Sequence, residues 1–244
     1  YLPLAVTGQV GLSCNARTAE HMMLRLSASP LAEARELAKM LHRHLVPVVP
    51  SLIRYVEPSA WCRREEGLHL EPAHEAAEKA ADDVFFGESG VGRLRLCSPP
   101  EDWDARVLAA QAVRRGAPFP EALQEVQNWP PERRERAFLD MMQGMTVHDP
   151  APRAWEHVHL TWEIVLSAAA YAQLKRHRLC DLVVSPYDER FGFTHPPAVA
   201  GEWKNRADEL VRLAESTASL LEGPARAYAL LAGHRRRALW TANL

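Results

Sequence analysis

The residues best suited to chemistry end an alanine-rich segment, where Arg176, His177 and Arg178 are consecutive and Gln173 stands three positions earlier. Spacings of three and four positions predict one shared helical face for Gln173, Arg176 and His177. Guanidinium groups offer paired donors to anions, so the cluster suits a phosphate or a polar ring system. A solvated basic helix end, favoured by the helix dipole, is the alternative interpretation.

Regular elements must position this cluster. Alternating apolar and polar residues over 158–164 predict a half-buried strand, and Ser167 is placed to cap the helix that carries Arg176. A second short strand is predicted over 92–98, and Ser29 with Pro30 predicts a helix start. Residues 55–72 lack periodicity and are interpreted as a link. Other helices are predicted over residues 31–45, 71–85, 103–115, 121–129, 131–145 and 203–221, with a short one opening at Pro224.

Composition narrows the class of protein. The 244 residues are 47% hydrophobic and 25% charged, which is typical of a folded globular chain. A net charge near -2 gives no global field for nucleic acid or a membrane surface. The four cysteines are far apart and form no Cys-x-x-Cys pair, so a reducing cytoplasm is expected. No apolar run is long enough to predict a membrane span.

Other candidate sites are weaker. The pairs His42 with His44 and His157 with His159 are two positions apart, which does not fit the i, i+4 spacing of metal ligands on a helix. Metal binding is therefore not expected. The triplet Arg235–Arg237 lacks an aromatic platform and is interpreted as a solvated turn rather than a nucleic-acid site.

The two ends of the chain resemble each other. Tyr1-Leu-Pro-Leu-Ala leads to Asn15 after 14 positions, and Tyr228-Ala-Leu-Leu-Ala leads to Asn243 after 15. This similarity suggests a repeat. Because the chain starts at a Tyr and stops after Leu244, flanking residues are expected to be missing.

These segments together resemble the flavin-dependent thymidylate synthase (ThyX) family, as a tandem or divergent member. The family has a Glu-His pair, a strand, a helix ending in Arg-His-Arg and, after seven residues, a Ser. This chain has Glu156-His157, the strand after it, and then Arg176-His177-Arg178. Further matches are His148 with Pro150, Gly192-Phe193, Pro196-Pro197 and Arg226 in Ala-Arg-Ala-Tyr.

The start of the chain resembles the end of the same family pattern. The matching pieces are Leu2-Pro3-Leu4, Asn15-Ala16-Arg17, His21, Leu24-Arg25-Leu26 and the helix that follows. The predicted organisation is therefore the end of a first copy over 1–55, a linker or helical connection over 56–91, and a second copy over 92–244 that lacks its last helix. The resemblance implies an α+β fold, with a mainly antiparallel sheet packed against long helices.

The resemblance also implies a reaction, the reductive methylation of dUMP to dTMP with FAD, NADPH and methylenetetrahydrofolate. No covalent nucleophile is expected, because the flavin carries the hydride. A homo-oligomer with shared sites is expected. The implied flavin-side residues are His148, Glu156, Arg176, His177 and Arg178, with Asn15, Arg17 and His21 from the first copy. The implied nucleotide-side residues are Gln173, Ser185, Arg226 and Arg25.

The loop after Arg178 departs from the family pattern. Pro186 stands where the Ser belongs, Ser185 is one place early, and Asp188 and Glu189 stand where an Arg would meet the phosphate. Carboxylates there would repel a phosphate dianion unless Arg190 and Ser185 realign. Two functions stay open: a working synthase, and a degenerate copy with a structural or assembly role.

Overall fold

The computed structural model describes residues 4–67, 94–98, 101–146 and 148–243. The chain divides into two compact units, whose segments alternate along the sequence. The first unit comprises Tyr1–Val91, Ser167–Ala169 and Ser185–Arg236; the second comprises Gly92–Leu166, Ala170–Val184 and Arg237–Leu244.

The described residues form both helices and strands. The described helices are α1 (Ala16–Ala28), α2 (Ala32–Leu45), α3 (Ala60–Gly67), α4 (Trp103–Val113), α5 (Phe119–Gln127), α6 (Pro131–Met142), α7 (Ala168–Leu174), α8 (Glu202–Ser219) and α9 (Arg226–Ala229). The described strands are β1 (Leu94–Ser98), β2 (His159–Ser167), β3 (Cys180–Val184) and β4 (Arg235–Asn243). Within the described residues, no helix is both long and apolar enough to cross a bilayer.

The described strands form one sheet in the order β1-β2-β4-β3, in which β1 pairs antiparallel with β2 and β3 with β4. Leu96 lies opposite Trp162, and Leu182 lies opposite Trp240. The rings of Trp162 and Trp240 stack with centroids 4.8 Å apart, which joins the two strand pairs across the middle of the sheet. The expected α+β architecture with an antiparallel sheet is thus present.

Apolar faces of α4, α5 and α6 build the core of the second unit. Val107 and Ala105 are fully buried, and Val126 of α5 packs in the same cluster as Ala105. Phe138 of α6 stacks on Trp155 at 5.5 Å. Their periodic sequence predicts these helices correctly, with ends within three residues of those observed.

The first unit joins the start of the chain to residues near α9. The Leu4 N–H donates to the Leu230 carbonyl at 2.8 Å, and the fully buried side chains of Met23 and Leu230 are part of this unit's core. Burial together with a hydrogen bond to Glu33 raises the pKa of Tyr228. Residues 4–46 therefore fold onto part of the predicted second copy. Whether they belong to a separate copy stays a prediction.

Three local predictions need correction or fall outside the structure. Part of the predicted link over 55–72 is helical, since the Ser59 hydroxyl accepts the Cys62 N–H at 3.1 Å and starts α3. The helix after Ser29 begins at Ala32, with Ser29 accepting the Leu31 N–H. The helix predicted over 71–85 lies outside the described residues.

Glu20 ties α1 to the segment that precedes α3. Its carboxylate is 4% exposed and accepts the backbone N–H groups of Arg54 at 2.7 Å and Tyr55 at 2.8 Å, while Arg17 pairs with it at 2.9 Å. The two backbone hydrogen bonds, more than the Arg17 charge, hold the pKa of Glu20 below its usual value. The carboxylate therefore stabilises the folded state in its ionised form.

We expect Glu20→Gln to lower the free energy of unfolding at neutral pH. Because the folded-state pKa is depressed, this contribution is fully present above the unfolded value of about 4.3 and is lost as the pH falls through the folded value. Urea unfolding of the unmodified chain and of the Glu20→Gln variant, from neutral pH to about pH 3, measures this. The difference between their free energies of unfolding should become smaller as the pH falls. Glu36→Gln, on an exposed pair with Lys39, is the matched control. A difference in free energy of unfolding that does not change with pH would contradict the stabilising role of ionised Glu20.

Candidate functional site

The Arg176–Arg178 cluster lies in a turn between α7 and β3. The Lys175 N–H donates to the carbonyl four residues earlier, as in an α-helix. The N–H groups of Arg176 and His177 instead donate to carbonyls three residues earlier, those of Gln173 and Leu174, each at 3.0 Å. The prediction that the helix extends to Arg178 is wrong, because this tighter bonding ends α7 at Leu174. Arg176 and His177 therefore do not share a regular helical face with Gln173.

The side chains of this cluster are presented to solvent. Arg176, His177, Arg178 and Gln173 are all exposed. The described hydrogen bonds and ion pairs include none to the guanidinium of Arg176 or Arg178, while the His177 carbonyl accepts from Cys180 Sγ at 2.7 Å. Two exposed arginines without an acidic partner in the described residues have donor chemistry that suits a phosphate or another anion.

The other predicted flavin-side residues of the second unit lie before β2. Glu156 occupies a 3₁₀ turn (Arg153–His157), where its carboxylate accepts from Arg153 at 3.0 Å. His148 is exposed, in a turn closed by Asp149 and Thr146. Among the described residues, no hydrogen bond or ion pair joins His148 to Glu156.

The predicted first-copy residues all lie on α1. Asn15 caps the helix by accepting the Thr18 N–H at 2.8 Å. Arg17, His21 and Arg25 follow at spacings of four, which places them along one exposed stripe. Arg17 pairs with Glu20, and Arg25 pairs with Glu66 of α3 at 2.8 Å. Of these four, only His21 has no contact described.

The predicted nucleotide loop, in the first unit, is closed by internal ion pairs. Arg226 forms an ion pair with Glu189, whose other carboxylate oxygen is buried without a hydrogen bond among the described residues. Arg190 binds Asp188 through both carboxylate oxygens at 2.6 to 3.0 Å. The Ser185 hydroxyl donates to the Pro186 carbonyl at 2.8 Å. Arg226, Arg190 and Ser185, which are the candidates to bind a phosphate, thus already donate to acceptors within the loop.

Asp188 is ionised in this arrangement. Burial raises its pKa, but the hydrogen bonds from the Arg190 side chain and backbone, helped by the charge of Arg226, more than offset that effect. The net result is a pKa below the usual aspartate value. Asp188 therefore carries a negative charge at neutral pH.

The loop is held against the start of β4. Phe193 forms an isolated bridge with His234, and the Thr194 N–H donates to the Gly233 carbonyl at 2.9 Å. Arg235 is 3% exposed and donates to Thr194 Oγ1 at 2.7 Å, and burial lowers the pKa of its guanidinium. The interpretation of Arg235–Arg237 as a solvated turn is wrong, since they begin β4.

A glycine makes this contact possible. A Cβ at Gly233 would overlap the Phe193 ring, which itself packs against His234 at 5.1 Å. We expect Gly233→Ala to lower the free energy of unfolding by about 1–3 kcal/mol, the usual cost of overpacking. Thermal or urea unfolding measures it, with Gly67→Ala as a control because no atom lies within 4 Å of that Cβ. Equal stability of the two variants would contradict this packing.

The described residues contain no group of three or more His, Cys, Asp or Glu side chains placed to hold a metal ion. The chain is an α+β protein with an exposed cationic turn and a loop of internally paired arginines. No family model matches the sequence, and no curated protein matches it.

Solved structures give a distant likeness. The chain is similar to thymidylate synthase X (ThyX) from Helicobacter pylori, solved with FAD and dUMP, with 15% identity, a TM-score of 0.42, and coverage of 63% of this chain and 78% of that chain. A second structure of the Helicobacter pylori enzyme, also complexed with FAD and dUMP, has 14% identity, a TM-score of 0.41, and coverage of 62% and 78%. No residue role follows from values this low.

Proposed function

We propose that this chain is a flavin-binding protein of the thymidylate synthase type whose own nucleotide subsite is closed. The proposal rests on the order of motifs in the sequence together with the contrast between two groups of arginines. Arg176 and Arg178 are exposed without an acidic partner in the described residues, whereas Arg226 and Arg190 are held by carboxylates of their own loop. That contrast carries the proposal.

In this account Arg176 and Arg178 bind the diphosphate of FAD, and His177 adds a polar contact. When bound, FAD supplies hydride transfer from NADPH. His148 and Glu156 are proposed on the flavin side of this copy, with Asn15, Arg17 and His21 in the corresponding role for the first copy. The chain's own task is to bind and orient, since no covalent nucleophile is required.

The closed loop argues against turnover of dUMP by this chain alone. A phosphate would have to displace Glu189 from Arg226 and Asp188 from Arg190, and Ser185 offers no hydroxyl proton while it donates to Pro186. Gln173 and Arg25 then remain as nucleotide-side groups, and Arg25 is paired with Glu66. We therefore infer a supporting role for this copy, in flavin retention or in assembly of a homo-oligomer that shares sites.

A working synthase is the second candidate, and one observation favours it. The side chains of Arg226 and Glu189 are 44% and 30% exposed, and exposed ion pairs are generally worth only about 0–1 kcal/mol. The phosphate dianion of dUMP therefore has access to the Arg226–Glu189 pair. In that case the reaction is the reductive methylation of dUMP to dTMP with methylenetetrahydrofolate and NADPH, in the cytoplasm.

An assay with the full chain separates the two candidates. The purified chain, loaded with FAD, is supplied with dUMP, methylenetetrahydrofolate and NADPH, and dTMP is measured. The proposed function predicts flavin absorbance with no dTMP. Production of dTMP would establish the second candidate, and absence of any flavin binding would reject the proposed function.

A further inference from the structure

A separate groove lies within the first unit, between α1, α2 and the segment that leads into α3. Its volume is about 500 Å³. Met23 and Ala38, which are 0% and 2% exposed, line it together with Val56 and Pro58. The groove thus has apolar lining groups and a volume in the range of small-molecule sites.

Cationic side chains dominate the remainder of the lining. Arg35, Lys39, Arg43 and Arg63 carry permanent charges at neutral pH, and His42 lies among them. Glu57 is the one carboxylate among the residues that line the groove. The lining therefore has an excess of positive charge in a chain whose net charge is negative.

Two of these arginines are positioned by neutral acceptors. Arg35 Nη1 donates to the carbonyls of Ser29 at 2.8 Å and Pro30 at 2.7 Å, and Arg63 Nη2 donates to the Pro58 carbonyl at 3.0 Å. Carbonyl oxygens fix a guanidinium without cancelling its charge, so its other N–H groups remain donors for an anion. The charges at this groove are therefore partly preorganised.

The remaining basic side chains are exposed surface groups. Lys39 is 70% exposed and pairs with Glu36, itself 58% exposed, at 3.2 Å, a pair that an anion displaces at little cost. Arg43 and His42 are exposed, and no side-chain hydrogen bond or ion pair of theirs is found in the part of the chain that the structure describes.

We propose that this groove binds a small phosphorylated compound with an apolar or ring-shaped body. The body packs on Met23, Ala38 and Val56, and the phosphate meets Arg43, Lys39 and the arginines fixed by carbonyls. This site uses none of the residues assigned to the flavin or to dUMP, so it stands independently of the proposed function.

Adenosine diphosphate is a suitable probe, because it joins a ring system to a diphosphate. Because ADP is also part of FAD, the full chain is first given the Arg176→Ala/Arg178→Ala change, which removes the proposed flavin contacts. It is then titrated by calorimetry with ADP, with pyrophosphate and with adenosine. ADP should bind more tightly than either part alone. The Lys39→Gln/Arg43→Gln variant should bind ADP about 10- to 100-fold more weakly, as expected when two charge-assisted contacts to phosphate are lost.

A further variant keeps the test specific. In the same Arg176→Ala/Arg178→Ala background, Arg54→Gln/Arg64→Gln removes the same charge from exposed positions of the same unit that do not line the groove, and it should leave ADP affinity unchanged. Absence of saturable ADP binding, equal affinity for adenosine, or an equal loss in the Arg54→Gln/Arg64→Gln variant would overturn the proposal.

Discussion

Replacing Arg176 and Arg178 together with alanine is expected to weaken FAD binding about 100-fold or more. Each charge-assisted hydrogen bond to a phosphate contributes about 1.5–3 kcal/mol, and every 1.4 kcal/mol corresponds to a factor of ten. Because both side chains are exposed and have no partner among the described residues, their removal should not unfold the chain. Quenching of flavin fluorescence on titration gives the affinity, and circular dichroism checks the fold.

The control for this prediction is Arg114→Ala/Arg115→Ala. These arginines are also close in sequence and exposed, in a turn that follows a helix of the same unit. This variant tests whether the loss of any two positive charges from the second unit is enough to weaken FAD binding. Equal FAD affinity for the unmodified chain and the Arg176→Ala/Arg178→Ala variant would show that the sequence resemblance identifies the wrong residues.

Replacing the two loop carboxylates, as Asp188→Asn/Glu189→Gln, is expected to raise dUMP affinity about tenfold to a hundredfold. The change releases Arg226 and Arg190 from ion pairs worth about 1 kcal/mol each and also removes two negative charges facing the phosphate. Asparagine retains a side-chain oxygen that accepts the Arg190 N–H, as Asp188 does now at 2.9 Å. The loop should therefore keep its shape, which unfolding temperature checks.

Calorimetric titration with dUMP measures this gain. Asp181→Asn/Glu222→Gln removes the same net charge from exposed positions outside the loop and should change dUMP affinity little. If the loop variant binds dUMP no better than the unmodified chain, internal pairing of Arg226 and Arg190 is not what closes the subsite.

Much of the fold follows from periodicity that is local in sequence. The strand before Ser167 and the helices α2, α4, α5 and α6 are predicted because their apolar residues recur at the period of the element. The end of α7 is not predicted, because the residues after Leu174 keep good helix propensity while the chain turns toward β3. Tertiary pairing of β3 with β4 overrides that local preference.

The candidate site was less accessible to sequence reasoning. The pair between Arg226 and Glu189 joins residues 37 positions apart, and no local signal indicates such a contact. The sequence predicts that Asp188 and Glu189 oppose a phosphate, but it does not predict that they pair with Arg190 and Arg226. Three consecutive arginines predict a solvated turn, because such a run is usually exposed. Arg235 instead lies at the start of β4 and is buried beside Thr194.

The basic groove also depends on tertiary structure. Its cations come from α2 and from Arg63 in α3, two segments whose spacing in the sequence matches no motif. The carbonyls of Ser29, Pro30 and Pro58 that fix two of its arginines become acceptors only after the chain has folded. A helical-face analysis of α2 alone would have found Arg35, Lys39 and His42 on one side, but not the groove they border.

The most direct test of the central claim is equilibrium dialysis of the unmodified chain against FAD and dUMP together, with both bound ligands quantified. The account predicts that FAD is retained in near-stoichiometric amount and that dUMP is not retained at micromolar concentration. A chain that retains no FAD, or one that retains dUMP in stoichiometric amount, would contradict it.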